Sequence, residues 1–502
     1  MNQPDPAHQP NRTRRRKIVI IGAGMSGMLV AIRLQQAGIT DFEILEKAAS
    51  AGGTWRDNTY PGLACDVPGY LYTYSFEPNP ECSHRYAHGD EIQAYFLRVF
   101  EKYGLRQYVR FNQEVDAAEY DQHRWRITTK SGEQIEADIL ISAVGVLHQP
   151  NYPDIPGLDR FRGDLFHSAR WDHNAPLQGK RVVVIGTGST AVQIVCGLVD
   201  QVARLKLFQR TAQWVLPAFD TPYAEWPKWI MRRLPFTAKW LHQRYDDLYH
   251  GILGGGFGKE RVLFINTFRL IAERHLRTVQ DPDLRRRLTP DFPFGCKRFI
   301  LSDGFYKAMQ QPQTELVTDG IEGIEENGIR TRDGTLHEVD VIVLATGFKA
   351  QNYVRPIKLV GEQGITLDQY WADGLKAYKT MALPGFPNFF MVQGPHSPIG
   401  NFSLIKIAEM QCDYLLQLVQ HIVAGQAASL APKATATDAY NAELQRHAQN
   451  TLWMGNGCQS WYIDSRGRLT IWPLSIGRFQ ALMKQPKWED FEISIARSKR
   501  RV

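Results

Sequence analysis

Short apolar runs alternate with helical patterns along most of this chain. Lys17-Ile18-Val19-Ile20-Ile21 reads as a buried strand. Residues 25–37 then repeat apolar positions at helical spacing, and residues 41–45 form a second strand. That order is β-α-β. It recurs at Arg181-Val182-Val183-Val184-Ile185, followed by a helix from Ser189 and a strand near Arg204–Phe208. Two further apolar runs, 139–145 and 341–347, end in small residues. Uninterrupted apolar strands suit parallel sheets covered on both faces. The pattern therefore predicts an α/β protein with two Rossmann-like dinucleotide-binding domains. Residues 221–290 are different in texture, rich in Trp and Arg and helical, with a break at Gly254-Gly255-Gly256. They read as a helical insertion whose Trp226, Trp229 and Trp240 allow two readings, a membrane-contacting patch or packing onto the body, and packing is the favoured one. Residues 1–16 read as a disordered lead.

Composition narrows the classes of function. Of 502 residues, 43% are apolar and 22% charged, which allows a large globular core. The net charge is +7, but nine cations sit at the two ends, in 12–17 and 497–501. The remaining 50 cations face 52 anions, so the body is near neutral. A nucleic-acid binder carries its basic surface on the fold itself, so that class is disfavoured. No apolar run reaches transmembrane length, and no apolar signal segment opens the chain. Stable membrane insertion is not expected, and a cytoplasmic location is. The six cysteines, Cys65, Cys82, Cys196, Cys296, Cys412 and Cys458, show no metal-ligand spacing. They read as reduced thiols, and no metal site is expected.

Two glycine motifs carry opposite charge logic. Gly22-Ala23-Gly24-Met25-Ser26-Gly27 follows a strand and opens a helix. Its glycines let a pyrophosphate approach backbone N–H groups at a helix start. Glu46 ends the next strand, 24 residues after Gly22. A carboxylate there accepts from ribose hydroxyls and repels a 2′-phosphate, which suits FAD or NAD. The second motif is Gly186-Thr187-Gly188-Ser189-Thr190-Ala191. At the same spacing stands Arg210, followed by Thr211. A guanidinium matches a phosphate dianion, so this site suits NADPH.

Gly52-Gly53-Thr54-Trp55 comes after the first unit. Disulfide reductases of similar layout carry a redox cysteine just after such a turn. Trp55 occupies that place here, so reduced flavin must pass its electrons elsewhere, and O2 is the obvious acceptor. At this point the sequence resembles the type I Baeyer–Villiger monooxygenases. One of that family's fingerprints is matched by Gly52, Gly53, Trp55, Tyr60, Pro61, Gly62 and Asp66. The other is matched by Phe161, Gly163, His167, Trp171 and Asp172. The resemblance runs from about residue 17 to about residue 480. Related flavin monooxygenases that oxygenate nitrogen or sulfur lack the Trp-Asp ending and remain the alternative.

The resemblance implies a ketone substrate, O2, FAD and NADPH, with an ester or lactone formed through a peroxide at flavin C4a. It implies a discontinuous FAD domain, 17–150 and 380–502, and an NADPH domain, 151–379. Arg298, in Gly295-Cys296-Lys297-Arg298, matches the family's active-site arginine, and Asp66 would orient it. Trp55 and Tyr72 would pack on the flavin. Ser26, Thr54, Val115 and Phe402 join the FAD set by the same resemblance. Asn401, read as the start of a helix over 402–423, would face the reduced flavin ring. Cys65, Asp66, Lys297 and Arg298 would also face NADP. His167 and Trp171 fall between the domains and imply hinge or positioning roles. Which ketone is used, and the oligomeric state, stay open.

Overall fold

Two five-stranded parallel sheets organise the chain. The structure is a computed structural model, and it describes residues 16–253, 258, 261–398, 402–454 and 460–495. The first sheet runs in the order Phe389–Met391, Ile139–Ser142, Ile18–Ile21, Phe42–Leu45, Val109–Arg110. Its central strand is buried at every position. Helix Met25–Gln36 packs between this sheet and the long helix Leu404–Val423. That helix reads as apolar on most sides because it has a neighbour on most sides.

The second sheet repeats the plan: Thr314–Val317, Arg204–Phe208, Arg181–Ile185, Val341–Leu344, Asp164–His167. Helix Ser189–Leu198 covers it, and Val182, Val184, Ile194 and Leu205 share its core. The fold is therefore α/β with two Rossmann-like units, as the apolar runs predict.

Four details differ from the sequence reading. The first concerns the return to the first unit. Strand Lys358–Val360 pairs parallel to Val115–Asp121, in a meander with Arg124–Thr129 and Gln134–Ala137. Leu359 and Trp371 are buried in the core shared with Ile21 and Leu45. The chain has therefore crossed back well before residue 380. Second, Arg16, expected in the disordered lead, is held on the fold, while residues 1–15 lie outside the described residues. Arg16 bonds the Asp138 carboxylate at 3.3 Å, and the backbone N–H of Lys17 donates to it at 2.9 Å.

The third correction is the helical insertion. It forms Glu225–Arg233, Pro235–Leu253, Val262–Leu276 and Pro282–Arg287. Its contacts to the body include Met231, Ala238, His242 and Tyr245 and leave out the three tryptophans. Trp226, Trp229 and Trp240 are 69%, 55% and 59% exposed. The Gly254-Gly255-Gly256 break lies outside the described residues. Fourth, Cys296 is disulfide-bonded rather than reduced. Cys65, Cys82, Cys196 and Cys412 are free thiols, and Cys458 lies outside the described residues.

Candidate active site

The first glycine turn is built for close approach. Gly22 has φ +102°, and a Cβ there would stand 2.8 Å from the Ala143 carbonyl oxygen. A Cβ on Gly27 would lie 1.9 Å from the Gly22 oxygen. Gly24 begins the helix and touches the backbone of Gly53, so both glycine runs form one cradle. Ser26 is buried at the helix start, and its hydroxyl approaches the Met25 sulfur. Such a cradle fits a dinucleotide pyrophosphate.

Glu46 is buried at the cradle's edge. Its oxygens accept from the N–H groups of Ala23 at 2.8 Å and Ala48 at 3.0 Å. Arg56 also donates to it, at 3.1 Å. This cation had no signal in the sequence. It balances part of the Glu46 charge, so rejection of a 2′-phosphate here is weaker than Glu46 alone implies. Val115 lies in the core beside Leu45, one residue before Glu46.

Beyond the cradle, Trp55 Nε1 donates to the Tyr72 hydroxyl at 3.3 Å, and their rings meet edge-on. Thr54 opens the short helix carrying Trp55, and its carbonyl accepts from Asn58. Phe402 is buried in the first core. The long helix starts at Leu404, where the Ser403 hydroxyl accepts from the Lys406 N–H, so the expected start at Asn401 is corrected. Asn401 itself lies outside the described residues.

The second glycine turn has the same close fit, since a Cβ on Gly186 would stand 2.3 Å from the Ala345 oxygen. Gly188 faces open space at the start of the helix that carries Ser189, Thr190 and Ala191. The Thr187 hydroxyl donates to the Thr211 carbonyl at 2.7 Å, tying this turn to the end of the next strand. Arg210 is exposed there and makes no ion pair among the described residues. Lys297 stands close enough for Arg210 to act on its charge. Burial lowers the Lys297 pKa most, Asp291 opposes it, and Arg210 adds a smaller push downward. An exposed, unpaired guanidinium just after the strand, with a second cation within its electrostatic reach, fits a 2′-phosphate.

The two units meet through the first fingerprint. The Tyr60 hydroxyl donates to Gln193 at 3.0 Å, and Gln193 in turn donates to the Ala64 carbonyl at 2.9 Å. A Cβ on Gly62 would stand 2.5 Å from the Gln193 oxygen, so only glycine lets this loop lie on the helix. Gln193 had no signal in the sequence as a contact residue, because its partners come from another unit.

Asp66 and Arg298 close the site. Arg298 Nε donates to Oδ2 at 2.8 Å, and Nη2 donates to Oδ1 at 2.5 Å. Burial works against the guanidinium charge, and the Asp66 carboxylate more than offsets it, so the Arg298 pKa is raised. Burial, reinforced by Asp66, holds the neighbouring Cys65 thiol neutral. That speaks against thiolate chemistry. Tyr462 is a buried neighbour that sequence reasoning missed. Burial pushes its pKa up to about 12, against the pull of Arg298.

The second fingerprint lies at the crossover between units. His167 is fully buried at the end of its strand. Nδ1 accepts from the Ala169 N–H at 3.1 Å, so Nε2 carries the hydrogen and donates to the Gly347 carbonyl at 3.0 Å. Burial lowers its pKa. The same carbonyl accepts from the Asn151 N–H at 2.9 Å. His167 thus bonds the junction of both connecting segments. Gly163 fits under Asp340, where a Cβ would lie 2.3 Å from its carbonyl oxygen. The Phe161 ring lies beside Gly163 and packs against the edge of the second sheet. Trp171 meets Phe166 edge-on at 5.0 Å, and Asp172 caps a turn at Asn174. Among the described residues no cluster of ligands could hold a metal ion, and no helix is long and apolar enough to cross a membrane.

Known proteins are similar to this chain over nearly its whole length. A family model described as pyridine nucleotide-disulphide oxidoreductase matches residues 19–234. An uncharacterized monooxygenase of Mycobacterium tuberculosis is 47% identical, over 95% of this chain and 96% of its own. A Baeyer-Villiger monooxygenase of Streptomyces coelicolor is 39% identical, over 95% and 92%. Among solved structures, cyclohexanone monooxygenase from a Rhodococcus species, bound to NADP+, superposes with a TM-score of 0.85. It is 26% identical and is matched over 96% of this chain and 99% of its own. A complex named OTEMO, with FAD and NADP, gives a TM-score of 0.85 at 26% identity, over 96% and 100%.

Proposed function

The chain belongs to the type I Baeyer–Villiger monooxygenases, and we propose that Arg298, aimed by Asp66, is the cation around which its oxygen transfer is built. It is an FAD- and NADPH-dependent enzyme that converts ketones to esters or lactones with O2. Bound FAD supplies the redox chemistry, taking hydride from NADPH and activating O2. The protein's own part is to place charges and exclude water.

The observation that carries the residue assignment is the forked ion pair. Asp66 comes from the first unit and Arg298 from the second, 232 residues away. The charge therefore sits where both cradles meet. A guanidinium stays charged at every working pH and can hold negative charge that develops on a reacting oxygen. Asp66 fixes its direction. The glycine turns at 22–27 and 186–191 receive the two pyrophosphates, with Glu46 toward FAD ribose and Arg210 and Lys297 toward the NADPH 2′-phosphate. Trp55 and Tyr72 wall the flavin. His167 positions the crossover.

The pairing of Lys358–Val360 with Val115–Asp121 supports an FAD domain of 17–150 that resumes between 349 and 358, with the NADPH domain between. NADPH dependence fits a cytoplasmic location. The test is product identity. Ketones and sulfides are offered side by side, and NADPH loss is compared with ester by gas chromatography. Ester in proportion to NADPH supports the reading. Sulfoxide alone would move the enzyme to the heteroatom-oxygenating relatives.

A further inference from the structure

The helical insertion turns an aromatic face to solvent. Trp226 and Trp229 lie on Glu225–Arg233, and Phe236 and Trp240 on Pro235–Leu253. All four are between 55% and 69% exposed. On the second helix Phe236, Trp240, Arg244 and Leu248 follow one another at four-residue spacing. Ala238, His242 and Asp246, two positions out of phase, are buried. The helix therefore has an inner face committed to the body and an outer face that is apolar without a partner.

The inner face is well anchored. His242 Nδ1 donates to the Tyr70 carbonyl at 2.9 Å, Lys406 bonds Asp246 at 3.0 Å, and Tyr70 stacks on Tyr223. The outer face is thus presented on a fixed support.

Charge identifies the occupant. Residues 225–244 hold Lys228, Arg232, Arg233, Lys239 and Arg244 against Glu225 alone. Lys228 pairs with Glu225, Arg232 pairs with Glu81, and Arg244 stands 3.9 Å from Asp247. Arg233 and Lys239 make no ion pair among the described residues. Arg233 lies over the Trp229 ring at 5.0 Å and Arg244 over the Trp240 ring at 5.5 Å. Tryptophan rings interleaved with cations suit the boundary between lipid headgroups and acyl chains, where the ring is half apolar and the cation meets phosphate. A second copy of the chain would set the same cations against each other.

We propose that the face formed by Trp226, Trp229, Phe236 and Trp240, with Arg233, Lys239 and Arg244, docks the enzyme on an anionic lipid bilayer. The contact is peripheral, with the aromatic rings entering only the headgroup boundary.

The test is flotation of the FAD-loaded protein with vesicles of phosphatidylcholine alone or mixed with phosphatidylglycerol. Two variants are compared with the wild type: Arg233→Gln/Lys239→Gln/Arg244→Gln, and Trp226→Ser/Trp229→Ser/Phe236→Ser/Trp240→Ser. These side chains face solvent, so flavin absorbance and turnover of a water-soluble ketone should be unchanged in both. The wild type should float with phosphatidylglycerol vesicles, lose binding in high salt, and show blue-shifted tryptophan emission. Each cation near an anionic surface is worth a factor of about five, so the first variant should partition about a hundredfold less. The second should not float at all. The basic chain ends are the same in all three proteins, so undiminished flotation of the variants overturns the proposal. So does an absence of wild-type binding. A dimer that the aromatic variant dissociates would also overturn it and make the face a subunit interface.

Discussion

The imidazole of His167 donates to the carbonyl of Gly347 at 3.0 Å, across the junction where the chain leaves one nucleotide unit and returns to the other. His167→Ala removes one hydrogen bond, worth about 0.5–1.5 kcal/mol, and leaves that carbonyl with the Asn151 N–H as its remaining donor. The variant should fold and bind FAD but turn over poorly and release more hydrogen peroxide. His167→Gln should recover part of the loss by restoring a donor. Wild-type turnover and coupling in His167→Ala would remove the positioning role.

Arg210 follows strand Arg204–Phe208, and its charge acts on Lys297. A hydrogen bond to a charged group is worth about 1.5–3 kcal/mol. Arg210→Ala should therefore raise KM for NADPH by about one to two decades and leave KM for NADH nearly unchanged. Lys297→Ala should act in the same direction. Steady-state kinetics with both nucleotides decide it, because equal losses with NADPH and NADH would exclude a 2′-phosphate contact.

His396 supplies a pH prediction. It is 1% exposed, its Nε2 donates to the Leu469 carbonyl at 3.1 Å, and its Nδ1 has no partner among the described residues. Burial drops its pKa to about 4, with Asp464 opposing and Arg468 assisting. The ordinary value is about 6.5, so above that pH the ring is neutral folded and unfolded, and stability is full. As pH falls from about 6.5 toward 4, only the unfolded chain takes the proton, and stability is lost, about 2 kcal/mol by pH 5. Below the folded pKa the loss levels off. Urea unfolding at pH 7 and pH 5 should show a smaller drop for His396→Asn than for wild type, by about that amount. Equal drops would mean that His396 does not carry this linkage.

The parts of the fold that were legible rest on local chemistry. Ile18–Ile21 and residues 182–185 are apolar throughout because central parallel strands are buried on both faces. Glu46 and Arg210 could be placed because each ends a strand at fixed spacing from a glycine turn. What could not be read depends on distant partners. Lys358–Val360 is three residues long and is a strand only because Val115–Asp121 lies beside it. Gly62 is explained by the Gln193 carbonyl, 131 positions later, and nothing near Gly62 announces it. The outward turn of Trp226, Trp229 and Trp240 was misjudged because the insertion has aromatic residues on both faces. Tyr223, Tyr245 and Tyr249 take the inner one.

Arg298 and Asp66 give the most direct test of the chemistry. Reduction of flavin by NADPH and its reoxidation by O2 need no ketone, so neither depends on charge held at the oxygen that attacks the carbonyl. Arg298→Ala should therefore still consume NADPH but release hydrogen peroxide in place of ester. Loss of one preorganised charge costs about 3–4 kcal/mol, or two to three decades in ester formation. Arg298→Lys keeps a charge but loses the fork to Asp66, so it should recover only part of the rate. Asp66→Ala should fall in the same direction and by less, because the guanidinium remains and only its aim is lost. Flavin absorbance shows that each variant is loaded, and ester and peroxide are measured from the same reaction. The ordering Arg298→Ala below Arg298→Lys, with Asp66→Ala losing less than Arg298→Ala, follows only if the charge acts on oxygen transfer and the carboxylate acts through it. An Arg298→Ala enzyme that made ester at the wild-type rate would place the stabilising charge elsewhere.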